Sequence, residues 1–434
     1  MGGSGVIDFS RAGPVPARPM GTGARSALHE RSPAMAHDLA PKEIIAEKLD
    51  QAARKMKEQA IDLWVTFVQE TNAGAERVFS YVSPGHLTWE SVIAVTPAGE
   101  RFVICGKFDQ QDFEESGLFT EVYTYVEDFK EPFGRLLQRV KPGKVALNFS
   151  FNDPTADGIT HGKFLFLQGL LKEMAPAAEV VSAEAVVLSL ISSKSPIERA
   201  AIQEGVDLTV KIFGEISAFL RPGLTEKEIY GFIQERIHSY GVTPSFQTLV
   251  FAGDRGAGSG HGSATENPVQ PGDLVHVDMG VFVRGYASDM QRTWYVLKAG
   301  EERAPEPAQK GFDTIVRSIE ASGKALKPGA QGIELDTIAR RVITDAGYPE
   351  YPHALGHQIG RHVHDGGALL GPAWARYRNT PFLFLEEGQI FTLEPSLTVP
   401  GFGAVGIEED VMVTPEGARY MAPPQRDLWL VRGK

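Results

Sequence analysis

The sequence predicts a mixed α/β protein in two parts: a smaller α/β domain, then a pseudo-twofold α/β sandwich built from two related halves. Three observations carry this. Helical and strand-like segments alternate from residue 41 to about residue 190. Further on, FLRPGLTEKEIYGFIQERIHSYG and ALKPGAQGIELDTIARRVITDAG align without a gap at an offset of 106 residues. Each of these stretches then leads into a pair of strand-like runs bearing two carboxylates.

Taken in order, the segment before His37 is rich in Gly, Pro, Ala and Arg. It lacks the continuous apolar run of a secretory signal, so a disordered leader is expected over residues 1–37. Pro41 opens a helix to about Gln59, followed by the strand IDLWVTFV, the meander SVIAVTPAGERFVICG, the strand KVALNF and the helical KFLFLQGLLKEM. These assign residues 38–192 to the smaller domain. Cys105, the single cysteine, lies in the strand-like RFVICG and is expected in the core, with no internal disulfide possible. Ser195 and Pro196 start a long helix that opens the second domain, residues 193–434. Within the repeat, Leu220 matches Leu326, Pro222 matches Pro328, Gly223 matches Gly329, Glu228 matches Glu334 and Gly241 matches Gly347. Each unit is a Pro-Gly turn followed by an amphipathic helix, with Thr225 and Glu228 forming a capping box in the first.

The strand pairs carry the chemistry. Asp278 in LVHVDMG and Asp289 in GYASDMQRTW flank VFVRG; a turn symmetric about Val283 and Arg284 would set them opposite each other. Glu394 in IFTLEP and Glu408 in AVGIEED are symmetric about Gly401 and would face each other likewise. Facing side chains have Cβ atoms about 5 Å apart, and like charges there are unfavourable, so two apolar hairpins with paired acids call for cations. Two divalent ions would balance the four acids and leave a neutral His357 as an end ligand. Oxygen-rich sites with one imidazole suit manganese, cobalt, zinc or iron better than copper. Glu386, Glu387, Glu409 and Asp410 are read as ordinary solvated acids; strand alternation turns Glu409 away from the face of Glu408.

HALGHQIGRHVHDGG places four of the eleven histidines within twelve residues. Gly356 and Gly360 bracket its middle and imply a backbone drawn close to a ligand, which favours His357 as the metal contact. His353 and His364 lie on either side, suited to hydrogen-bonding a carbonyl or an anion, with His353 assigned to binding. His362 is given a surface or packing role. His261, in GDRGAGSGHGS, sits on a loop leading to the first acid and is a candidate supporting group.

Composition narrows the function. At 434 residues and 42% hydrophobic content, the chain can fill two cores. A net charge of −12 argues against nucleic acid and anionic membranes as partners, and no stretch approaches the apolar length of a membrane span, so a cytoplasmic protein is expected.

The ordered set HVDMG, GYASDMQRT, HALGHQIGRHVHD, TLEP and GIEED resembles the pita-bread (creatinase-fold) metallopeptidases, in the prolidase and aminopeptidase P group, over roughly residues 190 to 420. The resemblance implies two bridged metals held by Asp278, Asp289, His357, Glu394 and Glu408, a metal-held water as nucleophile, and catalytic roles for His261 and His364. Glu394 could also take the proton from that water. It implies as well a creatinase-like N-terminal domain that supports a homodimer. The function expected is hydrolysis of the peptide bond before proline by an Xaa-Pro dipeptidase, with an Xaa-Pro aminopeptidase acting on longer peptides as the alternative. A non-enzymatic interaction protein on the same scaffold would have eroded ligands, and these are intact. One departure stands out. Family members often carry arginine two residues before the second glutamate, where it helps bind a dipeptide's free carboxylate, and this chain has Gly406; Arg361, Arg376 or Arg378 could substitute.

Overall fold

The computed structural model describes residues 39–256 and 262–432; the expectations for the leader and for His261 lie outside the described residues. The first part is one six-stranded sheet with helices on both faces. Its strands are β1 (Leu63–Val68), β2 (Ser91–Val95), β3 (Arg101–Gly106), β4 (Glu121–Tyr125), β5 (Lys144–Leu147) and β6 (Glu179–Ser182), in the order β4-β3-β2-β1-β5-β6. β1, β2 and β3 form the expected antiparallel meander, and the remaining neighbours pair in parallel. The helices are α1 (Lys42–Gln59), α2 (Phe79–Val82), α3 (Gln110–Ser116), α4 (Lys130–Val140), α5 (His161–Met174) and α6 (Glu184–Ser192).

Strand alternation sorts the two faces. Trp64, Val68, Ile93, Val103 and Cys105 point toward α1 and α6, whereas Leu63, Val65, Phe67, Phe102 and Ile104 point toward α4 and α5. Covering both faces explains why β1 and β2 are buried along their whole length. The core facing α1 and α6 does not stop at residue 192. It continues without a break through Ile202, Phe213, Ile229, Val277 and Trp294 of the second part.

That part begins with α7 (Pro196–Phe219), capped reciprocally by Ser195 and Glu198 with proline in its first turn. It continues with α8 (Glu226–Ser239), β7 (Thr243–Pro244), β8 (Leu249–Ala252), β9 (Leu274–Met279), β10 (Val281–Val283), β11 (Tyr286–Ala287) and β12 (Met290–Val296). The second half has α9 (Glu306–Ala325), α10 (Gly332–Asp345), β13 (Ile390–Leu393), β14 (Ser396–Val399), β15 (Gly403–Gly406), β16 (Glu409–Thr414), β17 (Gly417–Tyr420) and β18 (Trp429–Val431). The repeat is physical. α8 and α10 differ by 106 at both ends, and each opens on a capping box, Thr225 with Glu228 and Gln331 with Glu334. The paired glycines take the same left-handed backbone, Gly223 and Gly329 at φ 88° and 86°, Gly241 and Gly347 at 70° and 90°. A separate core under α9 and α10 packs Phe312, Ile315, Leu335 and Ile343 against Phe391, Leu397, Val405 and Val411.

A buried polar seam joins the two parts. Lys48 of α1 pairs with Glu198 of α7 at 2.8 Å, and Glu198 also accepts from the Tyr286 hydroxyl at 3.1 Å. Beside it, within the second part, Lys194 pairs with Asp365 at 2.8 Å with both side chains fully buried. The Arg361 guanidinium lies between the rings of Tyr81 and Tyr286, 5.6 and 5.4 Å from their centroids.

Candidate metal centre

Both carboxylate hairpins form, but only the second has the expected register. β13 with β16 and β14 with β15 pair in phase about Gly401, which turns at φ 78°. Leu393 opposes Glu409 and Ser396 opposes Gly406, so Glu394 and Glu408 occupy the facing positions where one ladder gives way to the next. Their amides look elsewhere. Glu394 N donates to Leu355 O at 2.8 Å, and Glu408 N donates to Gln291 O at 3.2 Å, tying the hairpin to the histidine segment and to β12.

The first hairpin corrects the expectation. Its turn is Arg284–Gly285, both left-handed at φ 50° and 75°, so Val283 opposes Tyr286 and Asp278 opposes Gln291, not Asp289. A two-residue turn that matches strand twist needs positive φ at both central residues; Gly285 supplies one and Arg284 is carried with it. Asp289 lies two residues from Gln291 and therefore shares the face of Asp278 as a diagonal neighbour.

His357 comes to these acids from an added edge. Thr392 N donates to His357 O at 2.9 Å and Ile359 N to Ile390 O at 3.2 Å, so the histidine segment runs alongside β13. The tight glycine is explained by this strand and not by a ligand: a Cβ on Gly356 would fall 2.0 Å from Thr392 O. Around Gly360 the close neighbours are Asp365 and Lys194. His357 Nε2 reaches to 3.4 Å from Glu394 Oε1 and 3.6 Å from Asp289 Oδ2. Nδ1 sits 3.3 Å from Gln358 O, the arrangement that leaves the Nε2 lone pair for a metal. Burial, then the neighbouring His364, lowers the His357 pKa to about 3, so the ring is neutral.

The donor set fits divalent ions. Asp289, His357 and Glu408 each offer a ligand atom, all within 4.8 Å of one another. Asp278 Oδ1 and both Glu408 carboxylate oxygens are buried and find no hydrogen-bonding partner. Buried, unpartnered carboxylate oxygens are costly, and a cation is what satisfies several at once. Burial, and then the charge of Glu408, push the carboxyls of Asp278, Asp289 and Glu394 well above the usual carboxylate range. Glu408 itself is pushed up to about 8 by burial and by Asp410.

These groups floor a cavity of about 520 Å³ whose walls include Phe246, Leu249, Phe282, Val363, His362, His364 and Arg77. His364 is exposed, with its ring centroid 4.3 Å from that of His357. His362, read from sequence as a surface or packing residue, is on the cavity wall. His353 is not. Its Nε2 lies 2.8 Å from Ser396 Oγ and its Nδ1 2.8 Å from Ala354 O, so the binding role expected for it has no ring nitrogen turned to the cavity. Arg361 lies in the seam, Arg376 stacks on Trp374 and Tyr377, and Arg378 donates to Phe151 O, so none of the three lines the cavity.

Glu386 and Glu387 are exposed, but Glu409 and Asp410 are buried, against expectation. Glu409 turns away from Glu408 and pairs with the buried Arg292 at 2.9 Å, while another Arg292 nitrogen donates to Glu408 O at 2.8 Å. Asp410 Oδ2 accepts from Asp289 N at 3.2 Å. Sequence reading missed Arg292, Asp410 and Arg77, and their partners lie more than a hundred residues away along the chain.

Comparison with known proteins places this geometry. Metallopeptidase family M24 matches residues 200–415, a span holding all five candidate ligands. A relative from Staphylococcus saprophyticus, named as an uncharacterized peptidase, is 29% identical over 377 residues, 85% of this chain and 97% of that one. Among solved structures, an Xaa-Pro dipeptidase from Bacillus anthracis superposes with a TM-score of 0.70 at 23% identity, covering 89% of this chain and 100% of its own. An X-Pro aminopeptidase from Thermotoga maritima does so with a TM-score of 0.67 at 23% identity, covering 87% and 100%. Those likenesses are of fold. No helix among the described residues is long and apolar enough to cross a membrane. The architecture is the pita-bread fold, the family implies divalent metal ions, and the chain belongs to metallopeptidase family M24.

Proposed function

We propose that this chain is a dinuclear metal-dependent peptidase that hydrolyses the bond before proline, acting as an Xaa-Pro dipeptidase. The observation that carries the reading is the convergence of Asp289, His357 and Glu408 beside unpartnered carboxylate oxygens on the floor of the cavity. Asp278, Asp289, His357, Glu394 and Glu408 would hold two ions, manganese first. Bound there, the ions supply Lewis acidity to a peptide carbonyl and to water.

The side chains do the rest. Glu394, at the floor beside His357 Nε2, accepts the proton that attacking water gives up. His364, on the wall, donates to the carbonyl oxygen as negative charge gathers on it. His261 joins it in this role on sequence grounds alone. A bond before proline offers no N–H, so the leaving residue must be recognised by its ring, and Phe246, Leu249, Phe282 and Val363 provide apolar wall. Domain limits of 38–192 and 193–434 and a homodimer complete the proposal.

The alternative, an Xaa-Pro aminopeptidase, differs in admitting longer peptides. Hydrolysis of Ala-Pro and of Ala-Pro-Ala, each with manganese, cobalt, zinc or iron added to chelator-treated protein, separates the two. Cleavage confined to Ala-Pro is expected, with His357→Ala inactive in both; a tripeptide cleaved as fast as the dipeptide favours the aminopeptidase. Metal-independent cleavage, or full activity in His357→Ala, would refute the site.

A further inference from the structure

We infer that Arg77, delivered by the smaller six-stranded part, binds the terminal carboxylate of the peptide, so that this part helps select short substrates. The inference rests on the Xaa-Pro peptidase reading above.

Two divalent ions among four acids leave no surplus positive charge for a second anion, and a dipeptide brings a free carboxylate one residue beyond the bond to be cut. That anion needs its own cation inside the cavity. Among the described wall residues, Arg77 is the only lysine or arginine.

Its placement is built. Glu76 buries its carboxyl against Asn148 Nδ2 at 2.7 Å, and Asn148 is itself held by Trp64 Nε1 at 2.7 Å. Val78 and Phe79, on the other side, are buried at the start of α2. Arg77 therefore leaves the protein between two anchored neighbours, and its Nη1 donates to His364 O at 2.6 Å. That contact sets the guanidinium beside the residue whose ring meets His357. A guanidinium carries five N–H donors, so further donors remain for a carboxylate, which it can meet with two parallel bonds.

Among the described residues, the second part puts no competing lysine or arginine on the cavity wall. A Cβ at Gly406 would fall 2.5 Å from Gln291 Oε1 and 2.7 Å from His276 Nε2, and these two atoms are 3.0 Å apart. The space above that strand position is thus filled by an uncharged amide and an imidazole. Arg361, Arg376 and Arg378 are engaged away from the cavity, as described.

The test compares Ala-Pro with Ala-Pro amide on manganese-loaded full-length protein. Wild type should prefer the free acid by about ten- to a hundredfold in kcat/KM, mainly through KM. Arg77→Gln should bring the ratio of the two substrates close to one, and Arg77→Lys should retain part of it, because the charge survives and the fork is lost. A merely structural defect would slow both substrates and leave their ratio in place, which would overturn the inference. A second measurement needs no variant: proline should inhibit wild type more strongly than prolinamide, and equal inhibition would count against the assignment. If wild type cleaves Ala-Pro and Arg77→Gln keeps the preference, the inference alone falls. If wild type cleaves no Xaa-Pro peptide with any metal, the functional reading falls and takes the inference with it.

Discussion

Stripping the metal ions should leave a folded state that loses stability as pH rises, and Glu408 sets the size of the effect. Its buried carboxyl titrates at about 8 instead of the usual 4.5, burial being the first cause and Asp410 the second. In the unfolded chain the same group ionises above about 4.5. The sign follows: a carboxyl whose folded pKa is raised gives its full stability below the unfolded value and loses it as pH climbs toward the folded one. Each pH unit within that window costs about 1.4 kcal/mol, so between pH 5 and pH 7.5 Glu408 alone removes about 3 kcal/mol. With an unfolding entropy of about 2.1 cal/mol/K per residue over about 400 residues, this amounts to about 4 °C in Tm. Asp278, Asp289 and Glu394 shift in the same direction and add to it. The assay is calorimetry of chelator-treated wild type and Glu408→Gln across that pH range. The gap in Tm should widen in favour of the variant as pH rises, and restoring manganese should reverse it, because only wild type keeps the full ligand set. A gap that stays constant with pH, or is the same with and without metal, would refute the reasoning.

Two further outcomes test how the centre is held. Gly356→Ala should cost at least about 1–3 kcal/mol and strip bound metal, since the new Cβ would push the His357 backbone off β13; urea unfolding and elemental analysis would register both. Lys194→Met should destabilise by about 3–5 kcal/mol by leaving Asp365 buried and unpaired, whereas the double variant Lys194→Met, Asp365→Leu should recover most of the loss in the same unfolding measurement.

Much of the site was legible because its residues sit on local patterns. Gly401 in PGFG is the natural centre of a hairpin, so the facing positions of Glu394 and Glu408 could be counted outward from it. The repeat announced α8 and α10 because hydrophobic spacing and turn glycines agreed between the copies and Thr225 with Glu228 marked the first start; the matching box at Gln331 emerged only in the structure. The first hairpin was misjudged by one position at its turn, since nothing local reveals that Arg284 follows Gly285 into the left-handed region. Glu409 and Asp410 read as solvated because the groups that make their burial tolerable, Arg292 and the Asp289 amide, come from the other half of the repeat. His353 is drawn off the cavity for a similar reason, its Nε2 engaged by Ser396 of β14, while His362 stands on the cavity wall. Arg77 left no trace in sequence, as its meaning depends on a contact spanning 287 residues.

The buried seam makes the two parts mutually obligate. Lys48 and Tyr81 on one side and Glu198 and Arg361 on the other are each shielded from water by the opposite part, and Asp153 of the first receives the Gly367 amide of the second at 2.7 Å. Cutting the chain near residue 193 would strand an uncompensated carboxylate and guanidinium on the newly opened apolar surface. A chain divided there is expected to lose the fold of the second part along with the shelter of the first.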